Sequence, residues 1–186
     1  MKSHLAAASP PAAGLKALPG AASTAAATMG AWRFLGNENV TLPALASPLR
    51  AEGIRAAGES ASPYALLVRD WSKLAYGGHA SKTDQARLSH AGDVGYELAT
   101  ALLIDAADGS PLAPMEMELL AADGLHTTRE ASLAEGDHPL RQILPAMREA
   151  ETWGVPRRLV HVIDAEADSA AWFRLWNAEG HLFLVR

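Results

Sequence analysis

The apolar positions of this chain follow one period at its start and another further on. Met29, Trp32 and Leu35 share one side of a segment covering residues 23–35, and Leu42, Leu45, Ala46 and Leu49 recur at i, i+3, i+4 and i+7. Both patterns predict amphipathic helices. Ser23 or Thr24 can cap the first, Gly36 can end it, and Thr41 can cap the second, with Pro43 tolerated in its first turn. From Tyr64 the period shortens. Tyr64-Ala65-Leu66-Leu67-Val68-Arg69-Asp70 is a short apolar run that stops at an acid, which predicts a buried strand. Residues 71–87, with Gly77-Gly78 at their middle, read as an irregular loop. Tyr96, Leu98, Leu102 and Ile104 alternate with Glu97, Ala99, Ala101 and Leu103, so this strand is apolar on both faces and central. Asp108-Gly109 marks a turn. Met115, Met117 and Leu119 then alternate with Glu116 and Glu118, predicting a third strand with one wet face, and Pro111 and Pro114 place it at a sheet edge.

A polar loop follows over residues 121–137. Leu140, Ile143, Leu144 and Met147 predict a helix ending near Trp153-Gly154, with Pro145 kinking it or delaying its start. Leu159-Val160-His161-Val162-Ile163 is a β-branched run predicting a buried strand, in which His161 reads as structural. Its end carries three acids, Asp164, Glu166 and Asp168. A helix over residues 166–178 carries Trp172, Leu175 and Trp176, with the two tryptophans at helical spacing read as core; Gly180 suits its C-cap, and residues 181–186 read as a last strand.

From Tyr64 the order is strand, strand, strand, helix, strand, helix, strand. Short connections make the first strands antiparallel and helical ones make the later strands parallel, which predicts an α/β (α+β) mixed sheet. The expected organisation is a poorly ordered leader over residues 1–22, a small helical subdomain over 23–62 in which Trp32 and Phe34 pack, and a sheet domain over 63–186. This is the element order of the ribonuclease-H-like fold, in which the ends of the first and fourth strands are neighbours. Here those ends carry Asp70 and Asp164.

Composition narrows the chemistry. The 186 residues include no cysteine, which excludes disulfides and thiolate metal sites and suits a reducing cytosol. The formal net charge of −5 gives no global nucleic-acid signature, so DNA binding must rest on a local patch. Residues 69–90 supply one, with Lys73, Lys82, Arg87 and the histidines His79 and His90. No apolar run approaches the ~18 residues of a membrane span, and Pro10, Pro11, Gly14 and Pro19 interrupt any signal-peptide core. Carboxylates at strand ends suit a hard cation, Mg²⁺ or Mn²⁺. Two on adjacent ends can bridge two such ions about 3.5–4 Å apart for in-line phosphoryl transfer. The competing reading makes Asp164 a helix cap and places Glu166 and Asp168 in the first turn, where acids favour the dipole.

Three segments together resemble the DDE transposases of bacterial insertion sequences, of the cut-and-paste kind. Ala31-Trp32-Arg33-Phe34-Leu35-Gly36-Asn37 is similar to the motif before the catalytic core. Val68-Arg69-Asp70-Trp71-Ser72-Lys73-Leu74-Ala75-Tyr76, continued by His79-Ala80-Ser81-Lys82, resembles the segment around the first catalytic Asp. Val162-Ile163-Asp164-Ala165-Glu166-Ala167-Asp168 resembles the second-Asp motif, with Ala165 where the family most often has Arg. The resemblance covers residues 24–186. It implies a ribonuclease-H-like core with Asp70 and Asp164 as catalytic metal ligands for Mg²⁺ or Mn²⁺, supported by Glu166 and Asp168. It also implies transposon-end double-stranded DNA as partner, contacted by Lys73, His79, Lys82 and Arg87, and a cytoplasmic, nucleoid-associated place. The family's third acid is a Glu on a helix beyond the last strand, and no such helix is found before Arg186. The resemblance therefore implies an N-terminal fragment, inactive alone, that pairs with a second copy or with the missing part. Two other readings stay open. One is a metal-dependent exonuclease of the same fold using Asp164 and Glu166; the other is a non-catalytic DNA-binding or dimerising remnant.

Overall fold

The structure is a computed structural model that describes residues 24–76, 78–79, 81–88, 90, 92–130 and 139–186. The expected leader and residues 131–137 of the expected polar loop lie outside the described residues. Contacts divide the chain between Thr41 and Leu42. The first unit contains helix α1 (Thr24–Leu35), closed by the Gly36 N–H donating to the Trp32 carbonyl at 2.9 Å. Its apolar side is not packed as expected. Trp32 is 66% exposed, and Met29, Phe34 and Leu35 are exposed as well. The second predicted helix belongs to the other unit.

That unit holds α2 (Leu42–Glu59), β1 (Tyr64–Ala75), β2 (Ala86–Arg87), β3 (Val94–Asp105), β4 (Pro111–Ala121), β5 (Gly124–Thr127), α3 (Pro139–Thr152), β6 (Arg158–Ile163), α4 (Ala170–Ala178) and β7 (Leu182–Val185). The sheet is mixed and seven-stranded, in the order β5-β4-β3-β1-β6-β7, with β2 on β3. The neighbours β1–β3, β3–β4 and β4–β5 are antiparallel, while β1–β6 and β6–β7 are parallel, as the connection lengths predicted. Helix α3 contains Pro145 rather than starting after it.

Three strand expectations are corrected. Strand β1 does not stop at Asp70 but continues to Ala75, because β3 pairs with it from Ala65↔Asp105 to Ala75↔Gly95. Its partner on the other side, β6, ends at the pair Arg69↔Ile163, so the β1–β3 ladder extends past β6 as an arm. Gly95 is required there: a Cβ would lie 2.2 Å from the Leu74 carbonyl oxygen. Strand β4 is not the edge; β5 is, formed inside the expected loop. Asp123-Gly124 provides its tight turn, with Gly124 at a φ of 129°. Third, Glu116 and Glu118 do not line a wet face. The pairing steps from Ala101↔Glu116 to Leu102↔Pro114, which leaves Met115 as a bulge residue. A bulge reverses the alternation beyond it. Ala113 and Met115 are therefore buried, then Glu116 and Glu118 are buried, and Met117 is exposed.

Two cores form on one face of the sheet. Ala57 of α2 and Ala150 of α3 pack with Leu67, Leu103, Met115 and Leu159. Ile143 and Met147 of α3 pack with Ile163, Ala167 and Trp176, as expected for Trp176. Trp172 joins this second core only at its half-buried margin. Helix α2 reaches the sheet closely at Gly53, where a Cβ would meet the Met115 sulfur at 2.7 Å. Arg50 fixes it, donating to the carbonyls of Met115 and Thr128 at 3.4 and 3.1 Å. The opposite face carries Leu66, Val68, Leu102, Ile104, Val160 and Val162, which are half-buried.

Candidate functional site

Asp70 and Asp164 are brought together by strand register. Val68↔Val162 and Arg69↔Ile163 are paired, and each Asp is the next residue on its strand. Successive side chains alternate between faces, so both carboxylates lie on the face of Val68 and Val162, on strands about 4.8 Å apart. They share a cleft with Arg69 and Arg186. The Arg186 N–H closes its far side by donating to the Ile163 carbonyl at 3.1 Å. Asp70 is exposed and Asp164 half-buried, so the pair meets solvent.

The capping reading of Asp164 also holds. The residue after β6 opens a single 3₁₀ turn (Ala165–Ala167), and Asp164 Oδ1 accepts from the Ala165 N–H at 2.6 Å. This bond fixes the carboxylate's rotamer and engages one oxygen, leaving Oδ2 as a donor to a cation. Capping thus engages one oxygen of the group and leaves the other to the cleft. The donor set, oxygen only and solvent-facing, fits Mg²⁺ or Mn²⁺.

Glu166 and Asp168 do not line the cleft. The expected helix over residues 166–178 begins only at Ala170, with Ser169 as its N-cap residue, so neither acid sits in its first turn. Glu166 lies in the 3₁₀ turn and Asp168 ends it, and both are exposed. An Asp164–Glu166 exonuclease pair has no support in this arrangement.

Directly beneath Asp70, on the opposite face, is a buried ionic network with no counterpart in the sequence reading. Arg69 Nη1 meets Glu116 Oε2 at 3.1 Å, and its Nη2 donates to the Ala146 carbonyl at 3.3 Å. Arg129 lies 2.7 Å from Glu118 and 3.6 Å from Glu116, and donates to Gln142 Oε1 at 2.8 Å. Burial, then the Glu116 charge, pushes the Glu118 carboxyl up, against the pull of Arg129. Glu116 is consumed by two guanidinium groups and is 3% exposed, so it cannot act as a third cleft acid. The bulge that turns these acids inward left no mark that alternation could show.

The basic residues lie on or beyond the arm, past the carboxylates. Lys73 is on β1 opposite Glu97, and Arg87 is on β2; both are exposed. The segment read as irregular is organised by Gln85, whose amide donates to the carbonyls of Tyr76, His79 and Lys82. Lys82 Nζ sits 4.7 Å from the Tyr76 ring centre and 5.5 Å from that of Tyr96. His79 meets Tyr76 edge-on at 5.2 Å, away from Asp70. Asp84 accepts from the Tyr96 hydroxyl at 2.5 Å and pushes the phenol up to about 12.

A second constellation went unread. Glu151 at the end of α3, His161 in β6 and His181 before β7 place one ligand atom each within 4.8 Å of one another. His161 is fully buried.

No protein-family model matches the chain, and no curated protein matches it. Among the described residues, no helix is long and apolar enough to cross a membrane.

Proposed function

We propose that the second unit is the sheet of a ribonuclease-H-like, DDE-type transposase core, acting on transposon-end double-stranded DNA at the nucleoid. The observation that carries this reading is the adjacency of Asp70 and Asp164, one residue past the last paired positions of parallel neighbours β1 and β6. The strand order, with the first and fourth long strands central and parallel, supports it. So does the arm, which holds Lys73, Lys82 and Arg87 beyond the carboxylates, where a duplex entering the cleft would pass its phosphates.

Asp70 and Asp164 would hold Mg²⁺ or Mn²⁺, which when bound activates the attacking oxygen and stabilises the leaving one. The chain's own part is to fix both carboxylates: Asp70 by the β1–β3 ladder, Asp164 by its cap to Ala165. Neither Glu116 nor Glu166 reaches the cleft as a third acid. Among the described residues no third acid lines the cleft, so the chain is expected to bind metal without cutting DNA.

The test is Mn²⁺ binding followed by electron paramagnetic resonance. Asp70→Asn and Asp164→Asn are each expected to weaken binding at least about tenfold, the scale of disturbing a metal site, while Glu166→Gln leaves it unchanged. Unaltered Mn²⁺ affinity in the Asp70→Asn/Asp164→Asn protein overturns the reading. Cleavage of duplex DNA by this chain alone overturns the need for a third acid.

A further inference from the structure

We infer that Glu151, His161 and His181 form a second metal site, for a borderline transition metal of the Zn²⁺ class, that fastens β6, β7 and α3 together. Glu151 Oε1 lies 3.7 Å from His161 Nε2 and 3.7 Å from His181 Nδ1. Those separations are too long for hydrogen bonds. They are close to what one ion needs: with bonds of about 2.0–2.1 Å, tetrahedral zinc holds its ligand atoms about 3.4 Å apart. All three ligand atoms lie within 4.8 Å of one another, so they close on one ion by moving inward.

A second observation points the same way. His161 is 0% exposed, yet neither of its ring nitrogens has a hydrogen-bond partner among the described residues. Leaving a buried polar group unsatisfied is costly, so an imidazole of this kind calls for an occupant. The two rings stand nearly perpendicular, at 85°, with centres 5.8 Å apart, so both can turn a nitrogen toward one point.

The surroundings complete the arrangement. His181 Nε2 lies 3.7 Å from Glu179 Oε2, and the Arg148 guanidinium holds Glu179 in place. With Nδ1 on the ion, the Nε2–H faces that carboxylate, the usual orienting partner of a metal-bound histidine. Glu151 and His181 line an open cleft at the start of β6 and β7, which gives an ion its entry path. Arg158 in the same cleft is set against the Tyr64 ring at 5.9 Å. Three protein ligands leave a fourth position toward the cleft for water. The site is nitrogen-rich, unlike the all-oxygen Asp cleft, and does not depend on the transposase reading.

The experiment uses the full chain without an affinity tag, titrated with Co²⁺ alone and with Zn²⁺ alone. One site is expected to give the visible absorption bands of tetrahedral Co²⁺, displaced by Zn²⁺, and Zn²⁺ should raise the Tm. Glu151→Gln and His181→Asn should each weaken binding at least about tenfold and remove the bands. Glu151 is exposed, so its variant is expected to keep the native circular dichroism spectrum. The Asp70→Asn/Asp164→Asn protein should keep the bands. Bands and affinity that survive in both Glu151→Gln and His181→Asn overturn the proposal. So does their loss in the Asp70→Asn/Asp164→Asn protein, which would put the ion in the other cleft.

Discussion

Strand β6 carries two kinds of polar group. Just past its C-terminal end, Asp164 sits beside Asp70 in a solvent-lined cleft of oxygen donors. Two residues inside the strand, on the opposite face, His161 is wholly dry and faces a second histidine and a carboxylate. The contrast follows from the limits of each group. A carboxylate pair cannot be buried without a cation or proton to offset it, so it lies where the sheet runs out. A neutral imidazole tolerates burial but not the absence of a partner. The first site takes both its ligands from strand ends at the surface; the second draws its ligands from three elements, so an ion there would fasten them together.

The largest effect should come from the support under the Asp cleft. Arg129→Met leaves Glu116 and Glu118 buried without their shared partner, and should cost about 3–5 kcal/mol in urea unfolding. A loss below about 1 kcal/mol would mean that the two acids take up protons instead. Asp164 separates its two duties. Asp164→Ala should lose about 1 kcal/mol of stability with the cap, whereas Asp164→Asn keeps a capping oxygen and loses almost none. Both should lose Mn²⁺ binding. Equal Mn²⁺ binding by the Asn and native proteins would leave the cap as the sole role of this side chain.

The His end should show its difference through pH. His161 has its folded pKa depressed by burial. Below the ordinary imidazole value the unfolded chain binds a proton that the folded chain does not, so stability is full above that value and falls as pH drops through it. Glu151, held below the usual carboxylate range chiefly by His161, adds a loss of the same sign at lower pH. Thermal melts from pH 7.5 to 5 should show a falling Tm, steeper with Zn²⁺ present because protons expel the ion. A flat profile would mean that His161 titrates alike in both states. The smallest effect lies on the arm: Asp84→Asn should bring the Tyr96 phenol down from about 12 toward its ordinary value in an ultraviolet pH titration. An unchanged midpoint would show that Asp84 does not set it.

Much of the architecture was legible in local pattern. The β-branched run at Leu159 and the alternation around Tyr96 identified central strands, and connection lengths gave their directions. The parallel partnership of β1 and β6 put Asp70 and Asp164 together, as the element order led one to expect. Reading failed where one residue changed the register. The Met115 bulge turned Glu116 and Glu118 from expected surface acids into buried partners of Arg69 and Arg129. The Asp123-Gly124 turn carried the same signal as Asp108-Gly109, but the polar residues around it hid a short edge strand. Trp32 was expected to pack, yet it is exposed, and the second predicted helix falls in the other unit.

The sequence by itself determined the long strands and helices of the sheet unit and which two acids end up at the mouth of the sheet, because periodicity and connection length are local properties that the parallel pairing carries over unchanged. Only the tertiary structure decided which face each side chain meets, since a bulge or a three-residue turn reverses faces without altering composition. It alone joined Glu151, His161 and His181, residues on a helix end, a strand interior and a strand start. Their sequence spacing of ten and twenty follows no helical or strand period, and only the packing of α3 against β6 and β7 makes them neighbours.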